Sequence, residues 1–316
     1  MIITGIPFDE KLNIGVLSKV FERKRISNCY KYFWFQAILE NIVEDKVVFT
    51  YDEILNQMIE DAWYMVTEFK LRLGPCNTTD NLEEVVKYIH SKSNISSTAK
   101  RGSVIQYLKE NTDPKIKKYK KCLIENVPYC MQSPFYSSIK NPGQSKVYKI
   151  NEQTHLLYYF VALEGIFSKF KINEEWVDYL IRNRTILLEW VRYNLIGYLQ
   201  DRNPNVPGIV EKIQKPEKRD LRRVSDYWKT IIEIDPKIKE IYQKVSLKDK
   251  PISIDHFVPW QYLSHDELWN LSPTTKNINS MKGNQLPNLY EDFERLAELQ
   301  HKALMMCNDY EIVRHK

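Results

Sequence analysis

The sequence predicts a mainly α-helical protein that ends in a small α+β module. Three observations carry this reading. Only 9 glycines occur among 316 residues, and glycine destabilises helix interiors, so a chain this poor in it leans helical. Apolar residues recur at helical spacing through most of the first 245 positions. Beyond residue 250 the texture changes to a short strand, a long loop, a second short strand and a terminal helix, which is the pattern of a ββα unit.

The elements follow in order. Phe33, Phe35, Ile38, Leu39 and Ile42 mark a first helix, and 46–50 (KVVFT) suits a short strand. Thr50-Tyr51-Asp52-Glu53 has the form of a capping box, so a helix should begin there. Ile54, Leu55, Met58, Ile59, Ala62, Trp63 and Val66 form its buried face, and Gly74-Pro75 stops it. Asp113-Pro114 opens another helix, with proline where its missing N–H does no harm. The polar stretch 137–149, with Pro142-Gly143, reads as a turn or linker. Helical patterning resumes from Asn151, and Leu156, Leu157, Phe160, Val161, Leu163, Ile166 and Phe167 suit one helix. A further helix runs from Asn173 through Trp176, Tyr179, Leu180, Ile186, Leu187, Trp190 and Val191, ending at the 203–208 turn. Strand signals at 251–256 and 268–271 and a helix over 289–306 complete the chain. The division expected is a helical region over 1–245, with a break near 137–149, and a module over 246–316.

Composition excludes several classes. The 20 tyrosines suit helix packing and nucleic-acid contact alike. Five scattered cysteines without a CxxC pair argue against a disulfide framework and against structural zinc. The N-terminal residues lack the basic-then-apolar pattern of a signal peptide, and no apolar run reaches the roughly 18 residues of a membrane span. A cytoplasmic protein without membrane contact is expected. A net charge of +5 is modest, so nucleic-acid contact should be a local patch.

The chemistry concentrates in 254–287, IDHFVPWQYLSHDELWNLSPTTKNINSMKGNQLP. Singly, its residues have ordinary explanations: Asp-His as a strand-end pair, Trp269 as core packing, Lys276 and Lys282 as solvated surface. Jointly and in one register, they resemble the HNH (His-Me finger, ββα-metal) endonucleases, most closely the HNH domain of RNA-guided CRISPR nucleases. Asp255-His256, Pro259, Asn270, Asn279, Lys282 and Pro287 stand at that family's spacing without a gap. The resemblance implies catalytic roles for His256, Asn270 and Lys282. His256 would be the general base, since an unperturbed imidazole titrates near ~6.5 and can accept a proton at neutral pH. Asn270 would brace the loop, and Lys282 would meet a phosphate. Asp255 and Asn279 would hold Mg²⁺, or Mn²⁺, through hard oxygen donors. Asn277 stands where some members of the family carry an acid.

Two basic clusters lie outside the motif. Lys115, Lys117, Lys118, Lys120 and Lys121 form one, and Lys218, Arg219, Arg222 and Arg223, within 212–223, form the other. Beside a nuclease module both become candidates for phosphate contact. The function expected is a divalent-metal-dependent DNA endonuclease, in a prokaryotic restriction or anti-phage setting by analogy. A non-catalytic nucleic-acid binder, an RNase or toxin nuclease, and cleavage gated by a protein partner or ligand on the helical region stay open.

Overall fold

A computed structural model describes residues 5–75, 77–136, 138–215, 220–263 and 266–310. The chain divides into two compact units, Met1–Gln214 and Lys215–Lys316. The expected boundary at 245 falls inside the second unit. Tyr227, Trp228, Ile231 and Ile232 lie upstream of it, yet they share one buried cluster with Phe257 and Leu296.

The first unit is helical around a small sheet. Its main helices are α1 (Tyr30–Asn41), α2 (Tyr51–Thr67), α3 (Asn81–Lys92), α4 (Ser103–Glu110) and α5 (Pro114–Ile124), followed by α6 (Glu174–Arg182) and α7 (Arg184–Arg202). Helix α2 packs against α1, α3 and α4, and α7 packs on α1. The capping box forms as the sequence indicates. Thr50 Oγ1 accepts from Glu53 N at 3.1 Å, and Glu53 Oε2 accepts from Thr50 N at 2.8 Å. Helix α2 nevertheless ends at Thr67, seven residues before Gly74; Lys70 turns the chain with φ 55° and Leu71 N donates to Met65 O. Asp113 caps α5, which begins at Pro114.

Three strands, β1 (Val48–Thr50), β2 (Tyr158–Ala162) and β3 (Lys169–Ile172), form an antiparallel sheet in the order β1-β3-β2. The helix expected over Leu156–Phe167 is therefore corrected to a strand and a 3₁₀ turn at Gly165–Phe167. Its apolar residues fit both periods, and the strand wins because Tyr158 and Phe160 are buried while Tyr159 between them is part-buried and Val161 after them is exposed. The rings explain the choice. Phe170 of β3 lies 4.6 Å from Tyr158 and 5.6 Å from Trp34, centroid to centroid, so the sheet closes over the aromatic face of α1. Helix resumes not after Asn151 but before it, at Val147–Asn151, within the stretch expected to be linker. The helix expected from Asn173 is two, broken at Asn183.

The second unit is a ββα module with flanking helices. Helix α8 (Arg222–Ile234) packs on the hairpin of β4 (Ser253–His256) and β5 (Leu271–Thr274). The strands are antiparallel, with Asp255 opposite Ser272 and His256 opposite Leu271. Pro273 is tolerated because a two-stranded sheet has only edges. Helix α9 (Lys276–Lys282) follows directly, its first turn capped by Thr275, and α10 (Asp292–Asp309) closes the unit. No helix among the described residues is long and apolar enough to cross a membrane.

Removing the α2 cap tests the local reading. Thr50→Ala should cost about 1 kcal/mol, within the range for N-cap losses, measured as a lower midpoint in urea at unchanged slope.

Candidate functional site

The site is built where β4 ends and α9 begins. Successive strand residues point to opposite faces, so Asp255 turns toward α9 while His256 turns toward the loop between the strands. Asp255 is 4% exposed, and its carboxylate has two partners. Lys282 Nζ lies 3.1 Å from Oδ2 and 3.3 Å from Oδ1, and the Tyr242 hydroxyl donates to Oδ2 at 2.5 Å. The same ammonium donates to the His256 carbonyl at 2.6 Å. Burial, followed by the charge of Asp255, pushes the Tyr242 phenol far up, so it stays a protonated donor.

Tyr242 is positioned by a turn with its own internal anchor. The buried carboxylate of Glu240 accepts from the backbone N–H groups of Tyr242, Gln243 and Val245 at 2.7–3.0 Å. Arg295 of α10 donates to the carbonyls of Ile241 and Tyr242 from the other side. Neither Tyr242 nor Glu240 carries a sequence signal for this role, because both precede the motif and act through a turn.

His256 Nε2 lies 2.7 Å from Asp266 Oδ1. An ionised carboxylate can only accept, so opposite an ionised Asp266 the imidazole donates from Nε2. The Trp260 ring stands edge-on to the imidazole at 5.7 Å. Asp266 was missed in the sequence because a loop acid ten positions from His256 carries no periodic signal.

Asn270 is fully buried and clasps the chain after β4. Its Oδ1 accepts from Val258 N at 2.8 Å, its Nδ2 donates to Val258 O at 3.0 Å, and its own carbonyl accepts from Phe257 N. It therefore touches the backbone next to His256 and braces the hairpin. Trp269, expected in the core, is instead 53% exposed.

Asn279 of α9 donates its Nδ2 to Ser253 Oγ at 2.9 Å and to the Ile254 carbonyl at 3.1 Å. A carbonyl can only accept, which fixes the amide orientation and leaves Oδ1 as the end able to ligate. The donor types, one carboxylate and one amide oxygen, are those of a hard divalent ion, although both Asp255 oxygens are here engaged by Lys282 and one also by Tyr242. Among the described residues no three His, Cys, Asp or Glu side chains converge as a metal cage, so protein ligation would rest on Asp255 and Asn279. Lys282 does not stand ready for phosphate. Its side chain is 8% exposed and engaged with Asp255 and the His256 carbonyl.

The basic clusters separate into exposed and structural cations. Lys115, Lys117, Lys118 and Lys121 are exposed on α5. Lys120 is not: it is buried, pairing with Asp52 Oδ1 and Asn56 Oδ1 at 2.6 Å each, and so ties α5 to α2. Lys212, within the second stretch, is likewise buried, donating to the Pro207 carbonyl beside the Phe69 ring. Arg222 is exposed but held by Asp220 through contacts of 2.5–3.0 Å, and Arg223 is exposed. Lys218 and Arg219 lie outside the described residues.

Comparison with known proteins gives one match. Residues 239–288 fit the family model described as HNH endonuclease. The matched segment takes in Glu240, Tyr242, β4, β5 and α9, and supports nuclease activity on nucleic acid. No curated protein matches the chain, and no solved structure does.

Two outcomes follow from these contacts. Asn270→Ala leaves the part-buried Val258 N–H and carbonyl without their partner, and should cost about 2–6 kcal/mol at ~1–3 per orphaned group, read by urea unfolding. Lys120→Ala should destabilise by about 3–5 kcal/mol, as loss of one partner of a buried pair does. The double change Lys117→Ala, Lys118→Ala should leave stability within about 0.5 kcal/mol; equal effects would remove the distinction.

Proposed function

We propose that this protein is a divalent-metal-dependent endonuclease that hydrolyses phosphodiester bonds in DNA. What supports the reading is the convergence of Asp255, His256, Asn279 and Lys282 at the β4–α9 junction, inside the segment that fits the HNH endonuclease model.

Phosphodiester hydrolysis needs an attacking water relieved of a proton, a fixed phosphate, and charge compensation on the phosphoryl and leaving oxygens. His256 takes the proton. Asp266 holds the imidazole at Nε2 and steadies the imidazolium that results. Asp255 and the Asn279 amide oxygen would hold Mg²⁺ or Mn²⁺, which would supply Lewis-acid stabilisation of the charged phosphodiester oxygens. Lys282 pairs with Asp255, orients it and fixes the His256 backbone. Asn270 acts through the backbone, as a positioning residue. The exposed lysines of α5 add sequence-independent affinity for phosphate. A restriction or anti-phage role follows by analogy with the settings of such domains.

The deciding assay incubates the purified protein with duplex DNA, single-stranded DNA and RNA, each with Mg²⁺, Mn²⁺ or EDTA. Metal-dependent cleavage of DNA, abolished by EDTA, is expected; cleavage of RNA alone would reassign the substrate. His256→Ala should lower the rate by ~10²–10⁴, the usual loss for a general base, with DNA binding retained. Asp255→Ala and Asn279→Ala should weaken Mn²⁺ binding in calorimetry, and unchanged affinity in both would remove them as ligands.

A further inference from the structure

The Lys282 ammonium stands where several partners meet. It lies 3.1 Å from Asp255 Oδ2 and 3.3 Å from Oδ1, donates to the His256 carbonyl at 2.6 Å, and sits 5.5 Å from the centre of the Tyr242 ring. The Tyr242 hydroxyl adds a bond to Oδ2. Asp255 therefore already carries one cation spread over both oxygens, in a residue only 4% exposed. A second cation drawn to either oxygen would stand against that ammonium. Like charges so close repel strongly where water is scarce.

Lys282 and Asn279 share one helix. They stand three positions apart on α9, so they lie on the same face. Asn279 turns its Nδ2 to Ser253 and Ile254, which leaves its Oδ1 as the ligating end. The ligand pair and the competing cation are thus carried together.

The lysine can leave where the carboxylate cannot. It is the last residue of α9, followed by Gly283 at φ 50°, and residues 281 and 283–286 are exposed. A flexible four-carbon stem at a helix end can carry its ammonium from Asp255 into water, where that group is strongly hydrated. Asp255 stays behind, held by Tyr242.

We propose that Lys282 is a built-in competitor of the divalent ion: it neutralises Asp255, and the ion binds by displacing it toward solvent. The proposal rests on the reading of Asp255 and Asn279 as ligands. Lys282 thereby sets the ion concentration at which the site loads.

Two measurements on the full chain test it. Calorimetry compares Mn²⁺ binding by the wild type and by Lys282→Met, which keeps an apolar stem and removes the charge. The variant should bind at least about ten-fold more tightly, as removal of a close like charge requires. Amine acetylation of the wild type, read by mass spectrometry, needs no substitution. Saturating Mn²⁺ should speed modification of Lys282 several-fold, while Lys120, buried in its own pair with Asp52, stays unchanged. Should the variant fail to fold, the acetylation result decides alone. Equal or weaker Mn²⁺ binding by a folded variant, or Lys282 acetylation that Mn²⁺ leaves unchanged, overturns the proposal. Asp255→Ala separates this from the ligand reading. Where Mn²⁺ binds the wild type and is lost in Asp255→Ala, the ligand reading stands whatever Lys282 does. Where Mn²⁺ binds neither protein, or both alike, the ligand reading falls and the proposal with it.

Discussion

A buried carboxylate at the end of a strand must be paired and hydrogen-bonded, because burying a charge without partners is costly. In the second unit that carboxylate is Asp255, and the elements around it converge to meet the requirement. Helix α9 brings the Lys282 ammonium to both oxygens, and the turn after Glu240 brings the Tyr242 hydroxyl to one. Glu240 holds that turn from within by three backbone N–H groups, while Arg295 of α10 holds it from outside through two carbonyls. Strand, turn and two helices are thus tied to one charge. Removing any of these partners would leave an ionised or polar group uncompensated in a poorly solvated place.

The arrangement gives two adjacent residues separate environments. Strand alternation sends Asp255 to α9 and His256 to the loop that carries Asp266, so the carboxylate and the imidazole have different partners. Asn270 keeps that separation rigid by pairing with both backbone groups of Val258 just beyond β4. Lys282 belongs to the same frame: its contact with the His256 carbonyl couples the end of α9 to the end of β4.

The helical unit uses polar groups in a similar way. Lys120 reaches from α5 to Asp52 and Asn56 of α2, and Asn203 at the end of α7 pairs with the backbone N–H and carbonyl of Arg72. Both are interior connections between segments distant in sequence. A run of lysines is therefore not a uniform surface, and only the members facing water can meet a phosphate.

Local interactions made much of this legible in the sequence by itself. The Thr50–Glu53 capping box, the Asp113 cap, the strand at 253–256 and the spacing of Asp255, His256, Asn270 and Asn279 all rest on residues near one another, or on a motif with one register. Tertiary packing decided the rest. The Leu156–Phe167 segment carries apolar residues that satisfy helix and strand periods alike, and only Trp34 and Phe170 on the facing elements select the strand. Lys120 looks like its neighbours until Asp52 and Asn56 are placed beneath it. Tyr242 and Asp266 become partners of the site only when a turn and a loop fold back onto β4. Such contacts leave no period in the chain, because which side chains meet is set by the path of the backbone and not by the separation of residues along it.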